Sequence, residues 1–409
     1  MSEIDLARES DFSDRDDPSP DFIARMRGSY PSERETDELM TRKMLRRSGP
    51  PYRRVSREQL RSYLHAMLSE KLVGEFAISN EHWFTGGVSK IQLGFTLDWT
   101  DPDKGPRSEK LVVRMDPSES TNATSRLREF ELLQAFDGSV PVPEVFFLDE
   151  EGKWFPEPAL IYSFVPGVTR PSEAATGQIS GLGTVFGESL REKLAPQFLD
   201  HLVQIHTFDH EAMDFRSMDR PKAGTTEAAE WQLNRARRIW EEDRGEDVAL
   251  LEVAANWLER NLPVTDRISV VHGDYRSGNF LFDEDTGKIL TWLDWERGHL
   301  GDRHRDLAWM IQTIMGHYSE DGSTYYVCGL IPLDEFFERY EEASGLRVDQ
   351  DTLHWFRVLN AFQICVSMLA SAYRITRLGK SHQDVLLVRV RAQAPAGLNE
   401  LWTLMRERL

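Results

Sequence analysis

Residues 269–309, SVVHGDYRSGNFLFDEDTGKILTWLDWERGHLGDRHRDLAW, constrain this chain more than any other stretch. Asp274 sits in His272-Gly273-Asp274, Asn279 follows five residues later, and Asp294 opens Asp294-Trp295-Glu296. The apolar run 268–271 predicts a short strand, and 280–282 and 289–293 predict a hairpin closed by the turn 283–287. Asp274 and Asn279 then share one tight loop, and Asp294 ends the adjacent strand. Each alone would be an ordinary turn residue. Together they supply what phosphoryl transfer from a nucleotide needs. One carboxylate orients an attacking hydroxyl and accepts its proton, while a second carboxylate and an amide oxygen hold Mg2+.

The rest of the chain is read as support for that stretch. Hydropathy periodicity predicts a helix from Ser56 with Leu60, Leu64, Leu68 and Leu72 on one face. Three antiparallel strands follow, with a glycine turn between the first two. At that turn the backbone N–H groups of Gly86, Gly87 and Val88, with the Ser89 hydroxyl, are able to approach phosphate oxygens. Residues 110–115 form the third strand, 121–136 a helix, and 144–148 and 159–164 two more strands. The expected sheet thus has five strands, with one helix inserted after the third. Val165-Pro166-Gly167 reads as a hinge. Beyond it the composition turns helical: 187–208, 227–244, 248–261, 306–318, 333–344, 351–378, 384–390 and 397–409. The three glycines Gly181, Gly183 and Gly187 follow no clear strand, which disfavours a dinucleotide fingerprint. His206 is read as a packing and hydrogen-bonding residue. Residues 1–55 read as an appendage, disordered over the first twenty, with a helix over 32–49 opened by a Ser32/Glu35 capping box and closed by a solvated basic end, Arg42 to Arg47. The division expected is 1–55 extension, 56–164 nucleotide-binding lobe and 165–409 helical lobe carrying the catalytic loop and the acceptor site.

Composition removes other classes. A net charge of −19 disfavours nucleic acid and anionic membrane surfaces. There is no run of 18 apolar residues to span a bilayer and no apolar core for a signal peptide near the acidic N-terminus. Two cysteines, Cys328 and Cys365, without a CxxC or Cys/His cluster, argue against structural zinc and a disulfide framework. A cytoplasmic location is the expectation.

The motifs His272-Gly273-Asp274 to Asn279, Leu293-Asp294-Trp295-Glu296, and Gly301-Asp302 to Asp306-Leu307-Ala308 resemble the aminoglycoside phosphotransferase and small-molecule kinase family, whose fold is similar to protein kinases. Thr85 to Ser89, Val112-Val113-Arg114, Arg128-Glu129-Phe130, Val140 to Pro143 and Gln204-Ile205-His206 fall where that pattern expects them. The resemblance covers roughly residues 77–309 and implies an α+β, two-lobed fold. Asp274 would be the catalytic base, with Asn279 and Asp294 the Mg2+ ligands. Gly86, Gly87, Val88 and Ser89 would cover the phosphates of ATP or GTP. Arg114 would stand in the nucleotide-binding lysine position with Glu129 as its helix partner, and Ile161, Tyr162, Ser163 and Phe164 would form the hinge that receives the base. Asp306 would anchor the catalytic loop. Arg114 departs from the lysine that antibiotic-modifying members and protein kinases often carry; a guanidinium pairs with phosphate but is not equivalent. That puts an aminoglycoside acceptor in doubt and is similar to hydroxyacyl-CoA kinase-like domains.

The resemblance therefore implies Mg2+-assisted O-phosphorylation of a small-molecule hydroxyl, with an aminoglycoside-like antibiotic or a hydroxyacyl-CoA-like metabolite as acceptor. Two rivals stand beside it. A catalytically silent nucleotide- or ligand-binding module is disfavoured by the joint presence of Asp274, Asn279 and Asp294. A protein kinase is disfavoured by the lack of an Ala-Pro-Glu motif and of an activation segment of the usual length after Asp294. Residues Glu335, Glu338, Glu341 and Glu342 have helical spacing and read as a solvated face rather than an acidic pocket.

Overall fold

The computed structural model describes residues 13–84, 90–117, 123–173, 181–381 and 384–408. It begins with α1 (Ser13–Asp16), α2 (Pro20–Ser29), α3 (Arg34–Leu45) and α4 (Arg57–Lys71). Helix α4 starts at a capping box in which the Ser56 hydroxyl accepts from the Gln59 N–H and the Gln59 side chain accepts from the Ser56 N–H. Then come β1 (Phe76–Trp83), β2 (Ile91–Asp101), β3 (Gly105–Met115), α5 (Arg126–Phe136), β4 (Val145–Asp149) and β5 (Ala159–Ser163). The strands form one antiparallel sheet in the order β1-β2-β3-β5-β4, with α5 inserted after the third strand as expected.

Strand parity divides this sheet between two cores, because successive side chains point to opposite faces. Leu111, Val113 and Met115 of β3 and Ala159 and Ile161 of β5 bury with Leu60, Leu64 and Leu68 of α4. Val112, Leu160 and Tyr162 pack instead into the core of the helical lobe. Arg114 shares parity with Val112 and therefore also faces the helical lobe, opposite Leu160 in register.

That lobe contains α6 (Glu188–Thr207), α7 (Glu227–Asp243), α8 (Ala249–Arg260), β6 (Ser269–Val271), β7 (Phe280–Asp283), β8 (Lys288–Trp292), β9 (His299–Gly301), α9 (His304–Met310), β10 (His317–Tyr318), β11 (Tyr325–Val327) and β12 (Ile331–Pro332). It closes with α10 (Leu333–Ser344), α11 (Gln350–Val366), α12 (Ala372–Arg377), α13 (Asp384–Arg391) and α14 (Ala394–Arg406). The β7–β8 hairpin is as expected, whereas β6 pairs with β9, a strand the sequence did not announce. The helix expected over 306–318 ends at Met310, and β10, β11 and β12 form a small antiparallel sheet. Beyond the helix end, a Cβ at Gly316 would lie 2.0 Å from the Tyr326 carbonyl oxygen, so the chain there passes too close for a side chain.

Helices α11 and α12 run on through a π-turn at Ser367–Ser371. Gln350–Arg377 is long and apolar enough to cross a membrane by length and composition alone. Of its apolar window 78% is buried in the protein, which makes it the core helix of the lobe.

The N-terminal segment is not the loose appendage expected; residues 1–12 lie outside the described residues. Helix α3 is not opened by Ser32 and Glu35. Its N-cap is Glu33, whose buried carboxylate accepts from Arg128 at 2.6 Å and from the Thr36 hydroxyl at 3.1 Å. Its basic end turns inward. The Asp243 carboxylate, at the end of α7, holds Lys43 at 2.9 Å, Arg47 at 2.7 Å and Arg374 at 2.8 Å, and accepts from the Ser371 hydroxyl at 2.9 Å. The π-turn brings Ser371 and Arg374 to this point. Burial would raise the Asp243 pKa, but the three cations outweigh it and hold the group well below the carboxylate range.

These buried cations share the Asp243 carboxylate, and removing it takes that counter-charge from all three. Asp243→Ala is expected to cost about 3–5 kcal/mol, read as a lower midpoint in urea unfolding. An unchanged midpoint would show that the N-terminal helices do not depend on this contact.

Candidate active site

The loop that carries Asp274 leaves β6 at Val271. Gly273 has φ +78°, and a Cβ on it would lie 2.6 Å from the Arg297 carbonyl oxygen, so only glycine fits this turn. Asp306, in the first turn of α9, holds the loop backbone. Its carboxylate accepts from the His272 N–H at 2.7 Å and the Gly273 N–H at 2.8 Å. His206 contacts it at 3.3 Å and is itself held by the Tyr340 hydroxyl at 2.8 Å. Burial would raise the Asp306 pKa, but the His206 ring and the loop N–H groups outweigh it and lower it. His206 is thus a packing and hydrogen-bonding residue.

Asp274 is held from three sides. Its Oδ1 accepts from Trp309 Nε1 at 2.7 Å and Arg276 Nε at 3.1 Å, and its Oδ2 accepts from Asn279 Nδ2 at 2.8 Å. The same Asn279 amide nitrogen donates to the Asp274 carbonyl at 2.8 Å. With its NH2 so used, the Asn279 side-chain oxygen has no protein partner among the described residues. The Leu293 N–H donates to the Asn279 carbonyl at 2.7 Å, which ties the end of the hairpin to this loop immediately before Asp294. Asp294 adopts the left-handed conformation, φ +61°, a strained state for a non-glycine residue that persists where the surroundings fix it.

Arg114 meets Asp294 here. Its Nη2 lies 2.6 Å from Asp294 Oδ1 and 2.7 Å from Glu296 Oε2, and its Nε lies 3.3 Å from Glu129 Oε1. Around this centre Lys90 contacts Asp116 at 2.9 Å and Glu296 at 3.4 Å. Arg126 pairs with Glu129 and reaches Asp116 at 3.4 Å and Glu296 at 3.6 Å. Burial would discharge these groups, but the opposed charges win. Glu129, Asp294 and Glu296 hold the Arg114 pKa well above its ordinary value, and Lys90, Arg114 and Arg126 hold Glu296 far below its own. Sequence reasoning paired Arg114 with Glu129 but missed Lys90, Arg126 and the role of Glu296. Their signal was proximity: Lys90 follows the glycine turn directly, and Glu296 stands two residues after Asp294. Trp309 was missed too.

Between the lobes lies a cleft of about 620 Å³, lined by Tyr162, Ser163, Phe164 and Val165 on one side and by Leu281 and Leu293 on the other. Phe84 stacks on Phe164 at 5.8 Å and 14°. Burial pushes the Tyr162 hydroxyl up to about 12. The N–H groups of Ser163 and Phe164 are taken by the Glu144 and Lys110 carbonyls, whereas that of Val165 has no partner among the described residues. Ile161, grouped with the hinge by sequence, does not line the cleft. Its parity turns it into the sheet's own core. Gly86, Gly87, Val88 and Ser89 lie outside the described residues. Among the described residues no group of three or more His, Cys, Asp or Glu side chains is placed to hold a metal, so any ion here rests on few protein ligands.

A family model described as the phosphotransferase enzyme family matches residues 100–356. Acyl-CoA dehydrogenase family member 10 of Mus musculus is 28% identical over 284 residues, which cover 66% of this chain and 25% of that protein. The chain thus spans about a quarter of that relative's length. An aminoglycoside 3′-phosphotransferase of Niallia circulans is 24% identical over 222 residues, 52% of this chain and 74% of that one. A crystal structure from Ralstonia eutropha, provisionally assigned as an aminoglycoside phosphotransferase, superposes with a TM-score of 0.61 at 18% identity. It covers 84% of this chain and 98% of its own. That likeness shows the two-lobed, protein-kinase-like α+β fold.

Asp306→Asn replaces one of the acceptors under His272 and Gly273 with an NH2 group. A loss of about 1–3 kcal/mol in unfolding free energy is expected, measured by urea titration. Wild-type stability in this variant would show that the loop is held by other contacts.

Proposed function

The chain belongs to the phosphotransferase enzyme family, and we propose on that premise that it transfers the γ-phosphoryl group of ATP or GTP to a hydroxyl of a small molecule. The observation that carries this reading is the Asp274 carboxylate, fixed by Trp309, Arg276 and Asn279, on the loop that also carries the unpartnered Asn279 oxygen and abuts Asp294. A carboxylate has about four lone-pair directions, so three donors leave room for an acceptor hydroxyl. Asp274 would orient that hydroxyl and take its proton as the oxygen attacks phosphorus.

The Asn279 oxygen and the Asp294 carboxylate are hard oxygen donors, which suits Mg2+. Bound there, Mg2+ would neutralise charge on the phosphate oxygens. Arg114 would turn part of its fork from Asp294 to a nucleotide phosphate, with Glu129 and Glu296 keeping it in place. The Gly86, Gly87, Val88 and Ser89 backbone would cover the phosphates. The base would enter the cleft beside Tyr162, Ser163 and Phe164, where the free Val165 N–H offers a donor. Ile161 would act only as support behind Tyr162.

For the acceptor, an acyl-CoA-like hydroxyl compound is favoured over an aminoglycoside. The chain's likeness to acyl-CoA dehydrogenase family member 10 of Mus musculus supports it. A polycationic acceptor would seek an acidic pocket, and the candidate acids offer none. Glu335 pairs with Arg339 on α10, Glu341 accepts from the Val348 N–H, and Glu338 and Glu342 face solvent.

The test is turnover of Mg-ATP and Mg-GTP across hydroxylated metabolites, antibiotics and hydroxyacyl-CoA compounds. Asp274→Asn is expected to lower kcat about 10²–10⁴-fold with nucleotide affinity retained. Asp294→Ala is expected to weaken Mg2+-dependent nucleotide binding about tenfold or more in calorimetry. Full turnover by Asp274→Asn, or unchanged Mg2+-dependent affinity in Asp294→Ala, would contradict the assigned roles.

A further inference from the structure

Helix α5 is held in two different ways. Its second half is fixed by packing, with Leu132, Leu133 and Phe136 in the core of the helical lobe. Its first turn, which carries Glu129, lacks such an anchor. Leu127 is buried there but belongs to neither of the two large apolar cores among the described residues. A cavity of about 350 Å³ opens beside it, lined by Ser125, Arg126 and Leu127 and, across the gap, by Leu39 and Arg42 of α3. The turn is therefore placed by charged and polar contacts, and its orientation decides where Glu129 meets Arg114.

Arg128 and Glu131, three residues apart, share one face of α5. Arg128 Nη2 donates to Glu33 Oε1 at 2.6 Å and to the Ser217 carbonyl at 2.5 Å. Glu131 accepts from the Arg216 and Ser217 N–H groups at 2.9 and 3.1 Å. Glu33 is the one carboxylate within 4.0 Å of Arg128 among the described residues, and both side chains are buried. Without Glu33 the guanidinium would be a desolvated cation with no counter-charge beside it. Glu33 is itself fixed from the helical lobe. Its Oε1 also accepts from the Asp219 N–H at 3.3 Å, and the Arg34 N–H, next in the chain, donates to Asp219 Oδ2 at 2.7 Å. Further along α3, Asp37 accepts from Arg238 Nη1 at 2.5 Å, and Lys43 and Arg47 pair with Asp243. Arg238 and Asp243 belong to α7. A chain of charged contacts thus runs from α7 through α3 and Glu33 to Arg128. One residue further, Glu129 holds Arg114 Nε at 3.3 Å.

We propose that Glu33 is a positioning residue for the nucleotide site: from the head of α3 it sets Arg128 and the first turn of α5, and through Glu129 it aims Arg114 at a nucleotide phosphate. The helices before the sheet then belong to the phosphate-handling machinery. The inference rests on the phosphotransferase reading and on the part given there to Arg114. Small displacements count in such a site, because a shift of about 1 Å in a positioning group costs a large factor in rate. By linkage, a nucleotide that favours the aligned α5 also favours α3 in its docked position.

The experiment measures Mg-ADP binding to the full chain by calorimetry, with turnover and hydrogen exchange beside it. The wild type is expected to bind. Glu33→Ala should weaken Mg-ADP binding about tenfold, and Glu33→Asp, which keeps the charge, should weaken it less. In Glu33→Ala, KM for Mg-ATP should rise by a similar factor, while KM for a hydroxyacyl-CoA acceptor stays within about threefold. Saturating Mg-ADP should slow hydrogen exchange in α3 and in the first turn of α5 of the wild type. A folded Glu33→Ala that binds Mg-ADP as the wild type does, or an equal rise in both KM values, would overturn the positioning role. Circular dichroism melts establish folding. If Glu33→Ala does not fold, exchange in the wild type decides: slowing of the α3 amides by Mg-ADP supports the role, and indifference overturns it. Failure of the wild type to bind Mg-ADP would instead strike the phosphotransferase reading.

Discussion

The buried guanidinium of Arg114 is the contact on which the two lobes depend for their joint chemistry. It leaves the sheet on β3 and ends among Glu129 of α5 and Asp294 and Glu296 of the helical lobe. A desolvated cation without partners costs several kcal/mol, so burying Arg114 requires the carboxylates to be where they are. This fixes the sheet, α5 and the Asp294 turn against one another. Lys90 and Arg126 extend the same logic, because Glu296, Glu129 and Asp116 would otherwise be buried acids in excess. The Asp294 backbone, held in a left-handed conformation, is the point at which that constraint reaches the proposed metal site.

Much of this was legible in the sequence because it depends on local spacing. The loop from His272 to Asn279 and the hairpin before Asp294 follow from short apolar runs and turn residues. The five-stranded sheet follows from alternation, and the Arg114–Glu129 pair follows from the resemblance. What escaped depends on contacts between segments distant in sequence. Nothing local distinguishes Lys43 and Arg47 from an ordinary solvated helix end; Asp243, nearly two hundred residues on, turns them inward. Trp309 reads as one more apolar residue until the fold sets its indole nitrogen against Asp274. Ile161 was misgrouped because a run of four hinge residues ignores parity, which gives alternate side chains to different cores. The β10–β12 sheet was lost because its strands are two or three residues long, below what periodicity resolves.

This acidic chain holds two cationic clusters. The cluster at Arg114 is neutralised by its own carboxylates, Glu129, Asp294 and Glu296. At the other, Arg297 stacks over Trp309 and shares the Gln363 side-chain oxygen with Arg305, with no carboxylate within ion-pair distance among the described residues.

The central claim is that the γ-phosphoryl group leaves the nucleotide for an acceptor hydroxyl rather than for water. Phosphorus NMR of the full chain with Mg-ATP and a hydroxyacyl-CoA acceptor reads this directly. The account predicts a new phosphomonoester resonance that grows in step with ADP. Release of ADP with inorganic phosphate alone, or no ADP with any hydroxylated acceptor tried, would contradict it.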